Sequence, residues 1–178
     1  MSKPGPVDPH RKVLALPREP LERRGTSLTR ELTRVEEANE AFYTAFRNLD
    51  LDAMAKVWSP SPHARCVHPG WELVIGWPDI RQSWRDIFHS LEAIEFTLED
   101  VHVEIAGPTA WVNLVGYAHI DPKDAEPFVA TVVTTNIWEL VDGAWRLVLH
   151  HSSNFSDDDE DEEDDDDPPY GFGHGPPN

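Results

Sequence analysis

At about residue 93 the apolar pattern of the chain changes period, from three-to-four residues to two. Before that point Leu28, Leu32, Val35, Ala38, Phe42, Ala45, Phe46 and Leu49 recur at three- and four-residue steps, which puts them on one face of a helix about six turns long. Ser27 is its expected N-cap. Asp50 is the expected cap of a short second helix carrying Leu51, Met54, Ala55 and Trp58 inward, ended by Pro60 and Pro62. A third helix is expected from Pro78, with Ile80, Trp84, Ile87, Phe88 and Leu91 as its stripe. After it, residues 94–105, 110–120, 128–141 and 145–155 alternate by twos, and the Asp142-Gly143 pair between the last two marks a hairpin. Helices first and then an antiparallel meander is an α+β architecture.

The ends of the chain are different. Prolines at positions 4, 6, 9, 17 and 20 break residues 1–26, which read as a disordered lead-in. Residues 156–178 hold the acid run Asp157 to Asp167 followed by a Pro/Gly-rich end, and read as a disordered tail. The folded domain is therefore expected at 27–155. The formal net charge is -18, yet the run supplies 11 of the 33 acids, so the body carries only about -7. Arg11, Lys12, Arg18, Arg23 and Arg24 are too sparse for a nucleic-acid arm, so no nucleic-acid partner is expected. There is no apolar run of membrane-spanning length, and the single cysteine, Cys66, excludes an internal disulfide. These features lead to the expectation of a cytoplasmic chain with no membrane partner. The acid run has a plain reading as a solvated tail and a sharper one as a docking arm for a basic segment.

Several residues stand out for chemistry. Cys66 and His68 share one face of a short strand, and Pro69-Gly70 after them suits a type II turn. Trp71 and Trp77 follow, so this stretch is either a stiff turn or a turn that also walls a pocket. In the last strand, counting by twos from Trp145 through Leu147 and Leu149 puts His151, Ser153 and Phe155 on the core face. Asn136 shares a face with Phe128, Ala130, Val132, Thr134 and Trp138, and a buried Asn needs a partner, either a ligand or a loop. Tyr117 lies with Trp111, Asn113, Val115 and His119 on one face of its strand, and both faces of that strand are apolar enough to be covered. His63, Cys66, His68 and His151 lack a metal-ligand frame, so no metal is expected, and no cofactor motif is present.

The segments CVHPGWELVIGW (66–77) and TNIWELVDGAWRLVLHHSS (135–153), with Ser83-Trp84 between them, resemble the SnoaL-like branch of the nuclear transport factor 2-like superfamily. The resemblance covers about residues 28–155. It implies a cone in which a strongly curved antiparallel sheet, four long strands plus a short hairpin, wraps three N-terminal helices and leaves a pocket at its open end. It also implies homodimers through the sheet, and a range of activities that includes steroid isomerases, polyketide cyclases, dehydratases and epoxide hydrolases as well as partners that bind only protein. The isomerase Asp and the Asp-Arg-Asp set of the hydrolases have no counterpart that the sequence places. The expected site is a pocket for a small apolar or aromatic molecule, with His68 and His151 as the acid-base pair for isomerase, cyclase or dehydratase chemistry. Trp71, Trp77, Tyr117, Asn136 and Ser153 are its expected ligand contacts. The alternative is a non-catalytic binding or interaction module.

Overall fold

A computed structural model describes residues 21–155. Helices α1 (Leu21–Arg47) and α2 (Leu51–Val57) are followed by the short strands β1 (Arg65–Val67) and β2 (Val74–Ile75) and by helix α3 (Trp77–Ser90). Four long strands complete the domain: β3 (Leu91–Ala106), β4 (Thr109–Pro122), β5 (Phe128–Val141) and β6 (Ala144–Asn154). The strand order is β2-β1-β6-β5-β4-β3, a curved sheet that does not close. Helix α1 starts six residues before Ser27, because residues 21–26 follow the last N-terminal proline and contain none themselves. Residues 1–20 and 156–178, with most of the expected lead-in and the acid run, lie outside the described residues.

The sheet is mixed, not wholly antiparallel. β1 pairs with β2 antiparallel but with β6 in parallel, Cys66 opposite His150 and Val67 opposite His151. β2, α3 and the strands β3 to β5 intervene between β1 and β6, and β6 comes back along the free edge of β1 in the same direction. This pairing matters for the site, since it sets the His68 turn at the end of β1 beside the histidine doublet of β6.

Local chemistry fixes the ends of these elements. Asp50 caps α2 by accepting from the backbone N–H groups of Asp52 and Ala53 at 3.0 and 2.9 Å. Asp142 (φ 49°) and Gly143 (φ 78°) both take positive φ, as a two-residue hairpin loop requires. Gly70 (φ 78°) follows Pro69 in a turn closed by Trp71 N–H donating to the His68 carbonyl at 2.9 Å, the type II geometry expected. The core lies between the helices and the inner face of the sheet, with Val35, Phe42, Met54, Trp58, Ile80, Trp84, Val112, Trp138 and Leu147 essentially inaccessible. Phe42 and Phe46 of α1 meet Trp84 of α3 edge-on at 5.5 and 4.8 Å between ring centroids. Those contacts hold α1 and α3 together, and the same three rings line the cavity at the open end of the cone.

A cavity with two neutral histidines

The open end is a cavity of about 420 Å³. Its walls mix aromatic and aliphatic side chains: Phe42 and Phe46 from α1, Trp84 and Ile87 from α3, Phe96 and Ile94 from β3, and Trp71 and Phe128 at the mouth. Trp71 and Phe128 are about half exposed, so they form a rim rather than a floor. Among the described residues, none of the lining side chains is an acid, a lysine or an arginine.

The polar groups enter from β5 and β6 as two directly opposed pairs, Asn136 with His150 and Thr134 with Ser152. All four are buried. His150 Nδ1 lies 2.7 Å from Asn136 Oδ1, and Asn136 Nδ2 donates to Asn39 Oδ1 on α1 at 2.9 Å. Because the Asn136 oxygen can only accept, His150 carries its proton on Nδ1 and turns the lone pair of Nε2 to the cavity. Thr134 and Ser152 bond each other at 2.9 Å, and Thr134 also hydrogen-bonds the phenol of Tyr43. Burial pushes the Tyr43 hydroxyl above its ordinary range, and the Thr134 bond opposes that push.

His68 comes from the turn between β1 and β2. Its Nε2 lies 2.9 Å from Ser83 Oγ, and Ser83 Oγ donates its one proton to the Ile80 carbonyl at 2.8 Å. Ser83 must therefore accept from His68, which fixes His68 as the Nε2–H tautomer. Trp84 lies edge-on to the His68 ring at 4.7 Å, and the His68 and His150 rings are 6.2 Å apart. Burial lowers the His68 pKa to about 4. It lowers that of His150 well below the ordinary value, with further repulsion from His68 and His151. Both rings are thus neutral at physiological pH. The Cys66 thiol lies 3.5 Å from His68 Nε2, and burial pushes its pKa up, so it is a neutral thiol and no thiolate nucleophile.

The residues expected from the sequence divide as follows. His68 and Trp71 line the cavity. His151 and Ser153 do not: both point outward and are exposed, and His150 and Ser152 take the inner face instead. The cause is a bulge. Ile137 pairs with Leu149 and Trp138 with Leu147, so Val148 is an extra residue and the alternation shifts by one beyond it. Asn136 is fully buried and holds His150 from behind instead of lining the cavity. Trp77 stacks on Trp58 with centroids 6.0 Å apart, away from the cavity. Tyr117 is on the outer face of β4, between Thr97 and Thr131 of the neighbouring strands. Tyr43, His150 and Ser152 were not singled out from the sequence. A signal for His150 was present: with two adjacent histidines, one must face inward whichever phase the strand takes. Asn39 and Tyr43, four residues apart on the apolar stripe of α1, were the corresponding signal on the helix. Among the described residues no group of three His, Cys, Asp or Glu side chains could hold a metal ion, and no helix is long and apolar enough to cross a membrane.

A three-helix cone with an open-ended, aromatic cavity is the architecture of the nuclear transport factor 2-like proteins. Residues 35–157 match the SnoaL-like domain, and the chain belongs to that family. It is 34% identical over 115 residues to the F-box protein SKIP8 of Arabidopsis thaliana, a match covering 65% of this chain and 47% of that protein. The chain thus spans about half the length of this curated relative. A dehydratase candidate of the NTF2-like family from Streptomyces avermitilis superposes with a TM-score of 0.67 at 29% identity, covering 72% of this chain and 99% of the other. A candidate calcium/calmodulin-dependent protein kinase type II association domain from Thiobacillus denitrificans superposes with a TM-score of 0.61 at 26% identity, covering 68% and 94% of the two chains.

Proposed function

We propose that the cavity binds a small apolar or aromatic molecule and catalyses a cofactor-independent proton transfer on it, of the isomerase, cyclase or dehydratase kind. The observation that carries this reading is His150. It is a neutral imidazole locked in one tautomer by Asn136 and Asn39, with its remaining lone pair facing an uncharged aromatic cavity. In this role His150 Nε2 takes a proton from an activated C–H or O–H of the substrate. The Tyr43 hydroxyl donates to the substrate oxygen on which charge develops. His68 and Trp71 complete the wall, and Ser83 keeps His68 from rotating. The likeness to a dehydratase candidate from Streptomyces avermitilis supports the reaction class. The test is single-turnover conversion of cyclic β-hydroxy ketones and β,γ-unsaturated ketones, followed by absorbance of the conjugated enone, in the wild type and in Tyr43→Phe. Turnover that drops at least tenfold in the variant fits the reading, whereas equal turnover in both removes Tyr43 from it.

A second reading, a non-catalytic binding or association module, has its own support. A histidine held near pKa 4 is a weak base. The F-box relative carries the matching segment as about half of a longer protein, and the Thiobacillus neighbour is an association domain candidate. A homodimer through the outer face of the sheet belongs to both readings. That face carries Val133, Tyr117, Val115 and Trp111, of which Val133 is clearly exposed. Light scattering at micromolar concentration should give twice the 20.2 kDa chain mass, and a monomer would remove this part. A cytoplasmic location is likewise part of the proposal, supported by the single buried cysteine.

A further inference from the structure

The polarity of the cavity goes further than its size and names the ligand class, resting on the small-molecule reading above. We infer that the ligand is a flat, uncharged molecule with a free hydroxyl, a phenol or an enol, whose proton is accepted by His150 Nε2.

Three observations lead there independently. First, charge: among the described residues no lining side chain is an acid, a lysine or an arginine, so a carboxylate or phosphate would meet no counter-charge from these walls, which do not offset its desolvation cost. Second, shape: Phe42, Phe46, Trp84 and Phe96 present ring faces and edges on several sides, which suits a fused aromatic or conjugated skeleton. Third, direction: the Asn39–Asn136–His150 chain leaves His150 with an acceptor and no donor toward the cavity. A ligand ether or carbonyl placed there would meet a lone pair with a lone pair. A hydroxyl satisfies it, and the same hydroxyl oxygen remains free to accept from Tyr43. This is the reverse of an oxyanion hole built only from donors. A bare hydrocarbon would leave the buried Nε2 without a partner, which is how a site built to bond a hydroxyl rejects the analogue lacking one.

The experiment uses the full chain and four matched probes: 2-naphthol, 2-methoxynaphthalene, naphthalene and 2-naphthoate. Affinities are measured by quenching of tryptophan fluorescence at pH 7.5, and the His150 ring nitrogens are followed by ¹⁵N NMR. The expected result is that 2-naphthol binds about tenfold more tightly than the ether or the hydrocarbon, the factor for one buried hydrogen bond. The His150 Nε2 signal should then move with naphthol alone. Equal binding of naphthol, ether and hydrocarbon would overturn the hydroxyl assignment while leaving the small-molecule reading intact. Tightest binding of 2-naphthoate would overturn the uncharged class. A naphthol preference without a His150 shift would take the contact away from His150. No binding by any of the four would sink this inference and the small-molecule reading together.

Discussion

The two buried histidines should make the protein lose stability in mild acid, before its carboxylates titrate. His68 has a pKa of about 4 in the folded chain against an ordinary 6.5, because burial disfavours the imidazolium. A depressed histidine pKa means that the unfolded chain binds the proton more readily than the folded one. The stabilisation is therefore complete above pH 6.5, falls as the pH drops below that value, and is exhausted near pH 4. The full span is about 3 kcal/mol for His68, and at pH 5 about 2 kcal/mol should already be gone. His150 acts in the same direction, and since repulsion from His68 contributes to its shift, the two add less than independently.

The assay is urea unfolding followed by tryptophan fluorescence at pH 7.5, 6.0 and 5.0 at constant ionic strength, with His68→Gln beside the wild type. The wild type should lose at least about 2 kcal/mol between pH 7.5 and 5.0, roughly a quarter of the stability of an ordinary domain. The glutamine variant, whose amide can still donate to Ser83, should lose visibly less over the same interval. Glu31, whose pKa is lowered chiefly by its hydrogen bond to Arg34, loses its contribution only as the pH falls through and below its ordinary 4.5, so it does not mimic the effect. An unfolding midpoint unchanged between pH 7.5 and 5.0 would refute the burial of two neutral imidazoles.

Three smaller expectations follow from the same hydrogen bonds. Ser83→Ala leaves the His68 Nε2–H without its acceptor and should cost about 1–3 kcal/mol in urea unfolding, with a loss under about 0.5 kcal/mol counting against the tautomer assigned to His68. Asn136→Leu unpairs both His150 and Asn39 and should destabilise by about 2 kcal/mol or more; it should also free the His150 ring to change tautomer, visible in its ¹⁵N shifts. Diethylpyrocarbonate should modify exposed His151 quickly and spare His68 and His150, read by peptide mass spectrometry, and equal labelling of His150 and His151 would overturn the strand phase described for β6.

How far the sequence revealed this molecule depended on whether a feature was periodic or tertiary. The α1 stripe, the Asp50 cap, the Asp142-Gly143 hairpin and the inner face of β5 were all legible, because each is set within a few residues by helix or strand period and turn chemistry. The parallel pairing of β1 with β6 was not, since nothing in three residues of β1 specifies the direction of a partner some eighty positions away. The cost of the one-residue bulge at Val148 fell on the functional prediction. Up to Leu147 the count by twos places Trp145 and Leu147 inward as found; one unpaired residue then exchanges His151 and Ser153 for His150 and Ser152.

The corrected phase is also the one that satisfies the polar groups. Asn136 is completely buried and its amide needs a partner on each side; Asn39 supplies one, and only a residue directly opposite on β6 can supply the other. In the unbulged phase that position would be taken by the aliphatic Leu149 and the Asn136 oxygen would be left without a bond, while His150 would face outward. A buried orphan amide costs about 1–3 kcal/mol, comparable with the cost of losing a ladder hydrogen bond or two at a bulge. The bulge and the buried asparagine therefore explain each other: the strand gives up regular pairing at Val148, and in exchange the chain Asn39–Asn136–His150 closes with both sides of the Asn136 amide bonded.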